Sequence, residues 1–304
     1  MTAEYVDNLE FYLKQISRIF DVSRIINERQ DKSHIIRYYT KNKLTYMLFY
    51  DWAGFYHFGI SYDGKRKREG LREQARIIEG YIRETGASRV LEIGCGLGSN
   101  SAFLAQRNPR VAFDGIDLAN NPLRRFKRIP NLRFFKADYH DLRRFEDNSY
   151  DIVFAIETLC YSTDKPQVFR EVKKKLRGNG KFIIFDHYRN NRAQPLSPSE
   201  DTMWQLIIKS MAVQEVERVS DVEGYMQKDF SITEARDLST CILPFLYRQE
   251  SLVRPYFNHP LFALVCSKLI PLDMMKNAVV VLLLPTSVHR QIDCYYMHAL
   301  SNDR

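Results

Sequence analysis

The chain has 304 residues, 45% of them hydrophobic and 27% charged, and 45 basic against 37 acidic side chains give a net charge of +8. This composition excludes general disorder and allows one α/β core of about 200 residues plus a cap. The five cysteines, Cys95, Cys160, Cys241, Cys266 and Cys294, form no Cys-x-x-Cys pair, which speaks against a disulfide framework or a zinc site and for reduced thiols in the cytoplasm.

In chain order, residues 3–20 place Tyr5, Leu9, Tyr12, Ile16 and Ile19 at helical spacing. Asp7, Glu10 and Lys14 interrupt that stretch, so it does not read as a secretory leader. Residues 33–60 are rich in aromatics, among them Tyr38, Tyr39, Tyr46, Phe49, Tyr50, Trp52, Phe55, Tyr56 and Phe58; a packed core and a substrate wall are the two readings of this cluster. An α/β rhythm follows. Helices are expected at 71–83, 98–107, 122–128 and 166–176, and strands at 89–93, 111–116, 132–136, 150–156 and 181–186. Short apolar strands alternating with helices imply a parallel sheet covered on both faces. Beyond residue 186 the rhythm breaks. We expect a loop over 189–202, helix over 203–230, a helix at 232–243, a sixth strand at 245–253, a helical insertion at 256–290 and a last strand at 294–300. The run 278–284 reads equally as a strand. No apolar run reaches the ~20 residues of a membrane span, although peripheral membrane contact stays open. The expected division is a helical and aromatic lid segment (1–69), a cofactor-binding core (70–190), and a helical cap with the last two strands (191–304).

The central motif is Val90-Leu91-Glu92-Ile93-Gly94-Cys95-Gly96-Leu97-Gly98, a strand running into a Gly-x-Gly-x-Gly turn. Glycines let a backbone approach a ligand closely. A dinucleotide fingerprint would place its third glycine one residue later, and a pyrophosphate would not welcome Glu92, whereas a cationic amino-acid moiety would. Gly115-Ile116-Asp117-Leu118 follows the next strand. Asp117 there reads as an acceptor for two ribose hydroxyls or, more blandly, as a helix cap. After the third strand, Asp138 suits an adenine amino group and Tyr139 the flank of the ring. Residues 150–154 lead through Ile156 to Glu157, at the carboxyl end of the fourth strand. Ligands of open α/β sheets bind at those ends, so the four signals converge on one crevice.

In order and spacing these residues resemble the motifs of class I S-adenosylmethionine-dependent methyltransferases. The resemblance covers about residues 70–190. It implies a doubly wound, seven-stranded α/β sheet with a final antiparallel strand, here with N-terminal helices and a helical cap. It implies S-adenosylmethionine as cofactor and S-adenosylhomocysteine as product, with Glu92, Gly94 and Gly96 at the methionine end, Asp117 at the ribose and Asp138 at the adenine. Cys95, Gly98, Leu118, Tyr139 and Ile156 complete the expected cofactor set. A narrower resemblance links Ala155-Ile156-Glu157-Thr158-Leu159-Cys160-Tyr161 and the upstream Phe55-Tyr56-His57-Phe58 to sterol and terpenoid C-methyltransferases. That family usually carries a histidine where this chain has Tyr161. Glycolipid and phenolic O-methyltransferases have a similar segment.

Carbon methylation of an alkene leaves a carbocation, which aromatic faces and a carboxylate stabilise before a base removes a proton. Glu157, Tyr161 and His187 are the candidate catalytic residues, and Tyr50, Phe55, His57 and Tyr188 the candidate substrate contacts. An oxygen nucleophile would need a base such as His187 or His57 instead. No Asn/Asp-Pro-Pro-aromatic segment follows the fourth strand, which speaks against methylation of a flipped nucleobase. The basic residues fall in short runs at 65–68, 124–128 and 173–177, not in a nucleic-acid-binding arm. No His/Asp/Glu cluster has metal-ligand spacing. The sequence therefore points to a hydrophobic small-molecule acceptor, without nucleic acid or metal. The apolar segments flanking the core form either a lid over that acceptor or a contact between copies of the chain. A binding scaffold with a retained cofactor fold is the reading from outside enzymology.

Overall fold

The computed structural model describes residues 7–28, 35–37, 51–119, 122, 123, 126, 128–213, 215–259, 263, 265 and 272–303. Seven strands form one sheet: β1 (Arg89–Ile93), β2 (Ala112–Asp117), β3 (Leu132–Lys136), β4 (Tyr150–Ile156), β5 (Leu176–Arg189), β6 (Ser231–Asp237) and β7 (Asp293–Ser301), in the order β3-β2-β1-β4-β5-β7-β6. The first five are parallel, and β7 runs antiparallel between β5 and β6. The order reverses between β1 and β4, because β1 leads outward to β2 on one side and β4 lies on the other. A crevice opens at such a switch point, at the carboxyl ends of the strands.

The described helices are α1 (Leu9–Ile19), α2 (Val22–Ile26), α3 (Glu73–Thr85), α4 (Ser99–Arg107), α5 (Lys165–Lys175), α6 (Pro198–Ser210), α7 (Val219–Met226), α8 (Ser239–Asn258) and α9 (Leu272–His289). Local chemistry starts several of them. Asp164 caps α5 by accepting from the Gln167 N–H at 2.9 Å, and Ser197 with Glu200 forms a reciprocal capping box on α6. The sheet separates two cores. Phe154 and Phe185 face one, together with residues of α3, α4, α6, α8 and α9; Val153 and Ile184 face the other, beneath α5 and α7. Neighbouring residues of β4 are thus fully buried on opposite faces, which explains why this strand reads as an unbroken apolar run. Helices α1, α2, α6, α8 and α9 pack on one another, and α8 and α9 also reach β7. Among the described residues no helix is long and apolar enough to cross a membrane.

Two expectations for the C-terminal third are reversed. Residues 231–237 form the sixth strand, and 245–253 lie inside helix α8. β6 sits at the sheet edge, paired on one side by β7, so most of its side chains are exposed and its sequence carries little apolar signal. In α8 the buried residues Ile242, Phe245, Leu246, Gln249 and Glu250 recur at helical spacing, while Pro244 and Pro255 within the helix disguise it. Residues 278–284 are helical within α9, and 203–230 hold two helices separated by residues 211–218. Of the helix expected at 122–128, residues 122 and 123 are not helical, 126 and 128 have 3-10 character, and 124, 125 and 127 lie outside the described residues.

One buried charge ties four strands together. Asp114 of β2, 1% exposed, accepts from Arg89 of β1 at 3.3 Å, from Arg133 of β3 at 3.0 and 3.2 Å, and from the buried Tyr150 hydroxyl of β4 at 2.7 Å. Removing it leaves the Tyr150 hydroxyl with only a long 3.5 Å contact from Arg89 and no acceptor, while the two arginines regain water. Asp114→Ala should therefore cost about 3 kcal/mol of stability, read as a lower urea midpoint at an unchanged m-value.

Candidate functional site

A cavity of about 360 Å³ opens at the carboxyl ends of β1, β2, β3 and β4. The turn after β1 forms its floor. Gly94 has φ +71° and Gly96 φ +52°, both in the left-handed region. The Cys95 N–H donates to the Ile116 carbonyl at 2.9 Å, which stitches this turn to β2. Asp117, at the end of β2, accepts from the Gly96 N–H at 3.0 Å and from the Ala119 N–H at 2.8 Å. Each of its oxygens keeps a second lone pair, so a ribose diol can add to this arrangement without displacing it.

Glu92 is 2% exposed and holds Ser101 through both the backbone N–H, at 3.1 Å, and the hydroxyl. Burial pushes its carboxyl up to about 7 against the pull of those hydrogen bonds. A cation entering beside it would reverse that shift. Asp138 takes two bonds from His140 on one oxygen, Oδ1: from the backbone N–H at 3.0 Å and from Nδ1 at 2.7 Å. The Tyr139 hydroxyl donates to the Thr158 carbonyl at 3.1 Å, linking the turns after β3 and β4. Of the expected cofactor set, Glu92, Gly94, Cys95, Gly96, Asp117, Leu118, Asp138, Tyr139 and Ile156 all line the cavity. Gly98 does not. It precedes α4, where a Cβ would lie 2.4 Å from the Phe134 ring.

Glu157 faces the cavity with its backbone at φ +48°, a conformation that costs a non-glycine residue about 1–2 kcal/mol. Its N–H donates to the Phe185 carbonyl and its Oε1 accepts from the Phe58 N–H, each at 2.7 Å. The Tyr295 hydroxyl adds a further hydrogen bond. Burial raises the carboxyl to about 8, opposed by the Phe58 N–H. Tyr161 and His57 also line the cavity. Both ring nitrogens of His57 are engaged, Nδ1 3.1 Å from the Phe58 carbonyl and Nε2 3.2 Å from the Asn100 side chain. Burial lowers its pKa and keeps the ring neutral.

Three expected residues lie elsewhere. His187 is buried behind the cavity, its Nδ1 3.3 Å from Asp293, which helps to raise its pKa to about 9 despite burial. It faces Asp293 and does not line the cavity, so it is not a base open to the acceptor. Tyr188 alternates onto the opposite face of β5 and packs in the second core against Tyr296 and His298. Phe55 packs in the first core with Arg72 over its ring at 5.2 Å. Tyr50 lies outside the described residues. Sequence reasoning passed over Asn100, His140 and the pair Ile35 and Ile36, and it named Tyr56 and Thr158 only within longer motifs without a role of their own; all of these line the cavity. His140 had a readable signal, two residues beyond an aspartate in a turn. Among the described residues, Cys160, Asp186 and His187 bring ligand-type atoms within 4.8 Å of one another, a grouping that spacing along the chain did not suggest.

The two turn glycines should respond differently to a methyl group. A Cβ at position 94 would lie 2.0 Å from Thr158 Oγ1, whereas one at position 96 meets nothing within 4 Å. Gly96→Ala should cost about the 1–2 kcal/mol of a left-handed alanine. Gly94→Ala should cost more and close the cavity floor as well. Thermal unfolding and S-adenosylhomocysteine calorimetry on both variants check this, with ligand heat lost in the first-turn variant Gly94→Ala.

Comparison with known proteins agrees with this geometry. Residues 91–184 match the family model described as a methyltransferase domain. Over 156 residues the chain is 25% identical to cycloartenol-C-24-methyltransferase 1 of Oryza sativa subsp. japonica, covering 47% of this chain and 45% of that protein. Over 187 residues it is 27% identical to phosphoethanolamine N-methyltransferase 1 of Arabidopsis thaliana, covering 59% and 36%. The chain thus spans less than half the length of these two relatives. A cyclopropane synthase of Mycobacterium tuberculosis shares the fold at a TM-score of 0.73 and 15% identity, over 90% of this chain and 100% of that one. Residues 91–184 are a methyltransferase domain, and the chain around them has the fold of the class I S-adenosylmethionine-dependent methyltransferases, resembling in sequence their sterol and terpenoid C-methyltransferase group.

Proposed function

We propose that the chain transfers a methyl group from S-adenosylmethionine to carbon of an uncharged, hydrophobic alkene of isoprenoid or sterol-like character. One observation carries the acceptor class. Among the described residues lining the cavity, the acidic side chains are Glu92, Asp117, Asp138 and Glu157, and no lysine or arginine is present. Three of these have roles toward the cofactor. Glu157 is left on the acceptor side with Tyr56, Tyr161, Ile35 and Ile36. A phosphorylated acceptor would meet a carboxylate there, and a developing carbocation would be stabilised.

Bound in this cavity, the cofactor supplies an electrophilic methyl group on a sulfonium. Glu92 and the turn at Gly94 and Gly96 would hold its amino-acid end, Asp117 the ribose diol and Asp138 with Tyr139 the adenine. Tyr56 and Tyr161 would present aromatic surface to the acceptor and exclude water. Glu157, held by the Phe58 N–H and by Tyr295, would face the cationic carbon and take up the proton that restores an alkene. His57 is engaged at both nitrogens, so oxygen methylation would also have to use Glu157 as its base. In this reading the aromatic segment before the core and the helices of the C-terminal third act as a lid, residues 1–69 belonging with it.

The pH dependence tests the role of Glu157. Its pKa of about 8 lies above the usual 4.5. Its contribution to stability is therefore fully present below about pH 4.5 and is lost as pH rises towards 8. Activity runs the opposite way, since a base must be ionised. For methyl transfer to a hydrophobic alkene, kcat/KM should rise with pH to a plateau above about 8. Glu157→Gln should lower kcat by about 10²–10⁴-fold and remove that limb while leaving S-adenosylhomocysteine affinity nearly unchanged. Transfer of labelled methyl to a phosphorylated amine but not to any neutral alkene would contradict the proposed acceptor.

A further inference from the structure

Asp138 meets the cavity through a carboxyl group that another side chain holds in place. The His140 N–H and Nδ1 both fall on Asp138 Oδ1, at 3.0 and 2.7 Å. Two bonds on one oxygen fix the rotation of the carboxyl group about its Cβ–Cγ bond. The far side of the ring is anchored as well. His140 Nε2 lies 2.8 Å from Ser162 Oγ, and Ser162 Oγ accepts from the Asp164 N–H at 3.2 Å. With Nδ1–H donated to the carboxylate, Nε2 is the acceptor and the Ser162 hydroxyl is its donor, so one tautomer satisfies the whole chain. The Gln167 side chain adds a bond to the His140 carbonyl at 3.3 Å. The relay thus runs from the turn after β3 to the segment leading into α5, and both Asp138 and His140 line the cavity.

We propose that His140, locked by Ser162, is a positioning residue that turns Asp138 into a selective acceptor for the exocyclic amino group of a 6-aminopurine. The proposal rests on the reading of Asp138 as the adenine contact. An aspartate free to rotate could still attract a donor, but it would pay the ordering cost on binding, and it would tolerate a 6-oxopurine better. The specificity then comes from pre-organisation, which His140 provides before the ligand arrives.

The test compares S-adenosylhomocysteine with S-inosylhomocysteine, whose purine carries a carbonyl where adenine carries its amino group, by calorimetry at pH 7.5. The wild-type chain should prefer the adenosyl ligand by roughly 10–100-fold, the range for one hydrogen bond to a charged group. In His140→Ala that preference should fall by about tenfold, chiefly through weaker adenosyl binding, with the melting temperature of the free protein little changed. His140→Asn, whose amide nitrogen stands where Nδ1 stood, should restore much of the preference. His140→Gln should not. An equal loss for both ligands, or an undiminished preference in His140→Ala, overturns the proposal. Asp138→Ala separates the two levels: if it collapses the preference while His140→Ala keeps it, only the positioning role fails. If Asp138→Ala also keeps the preference, the assignment of Asp138 to the adenine fails with it.

Discussion

The close approach of two turns governs this site. The turn after β1 passes so near the turn after β4 that no side chain fits at position 94, where even a Cβ would collide with Thr158. From that approach the rest follows. Thr158 accepts the Tyr139 hydroxyl through its carbonyl, which draws in the turn after β3. Cys95 and Gly96 bond to Ile116 and Asp117, which draws in the end of β2. Glu157, one residue before Thr158, is forced into a left-handed conformation and held at the cavity by Phe58. Four strand ends are thereby fixed around one space, and the sheet behind them is braced by the buried charge of Asp114.

The charge of the cavity follows from the same construction. Its carboxylates sit at strand ends, where burial is deep enough to raise Glu92 and Glu157 well above the ordinary carboxylate range. Such groups are costly in the empty protein and favourable beside a cation. A sulfonium cofactor and a carbocationic acceptor are both cations, so one electrostatic design would serve two ligands. Next to these groups, His187 pairs with Asp293 inside the protein, and neither residue lines the cavity.

Much of the core was legible in the sequence because its signals are local. A central strand followed by Gly94, Gly96 and Gly98, and carboxylates placed just after successive strands, report a crevice through spacing alone. The boundaries of β1, β3 and β4 coincide with the expected ones for the same reason: these strands are short, apolar and flanked by polar turns. What depends on tertiary context was not legible. β6 is a polar edge strand that exists because β7 pairs with it, and α8 carries prolines that mimic boundaries. The direction of a side chain on β5 was equally hidden, so His187 and Tyr188, adjacent in sequence, looked alike as candidates although they face opposite cores. The His140 relay depends on Ser162, 22 residues away, and a contact of that range leaves no periodic mark.

The central claim is that the turns after β1 to β4 form one cofactor crevice. A crystal structure of the chain with S-adenosylhomocysteine tests it most directly. The account predicts the ribose hydroxyls on Asp117, the adenine between Asp138 and Tyr139, and the amino-acid end against Gly94, Gly96 and Glu92, with Glu157 facing the open remainder of the cavity. Ligand bound away from Asp117 and the Gly94 turn, or no ligand at saturating concentration, would contradict it.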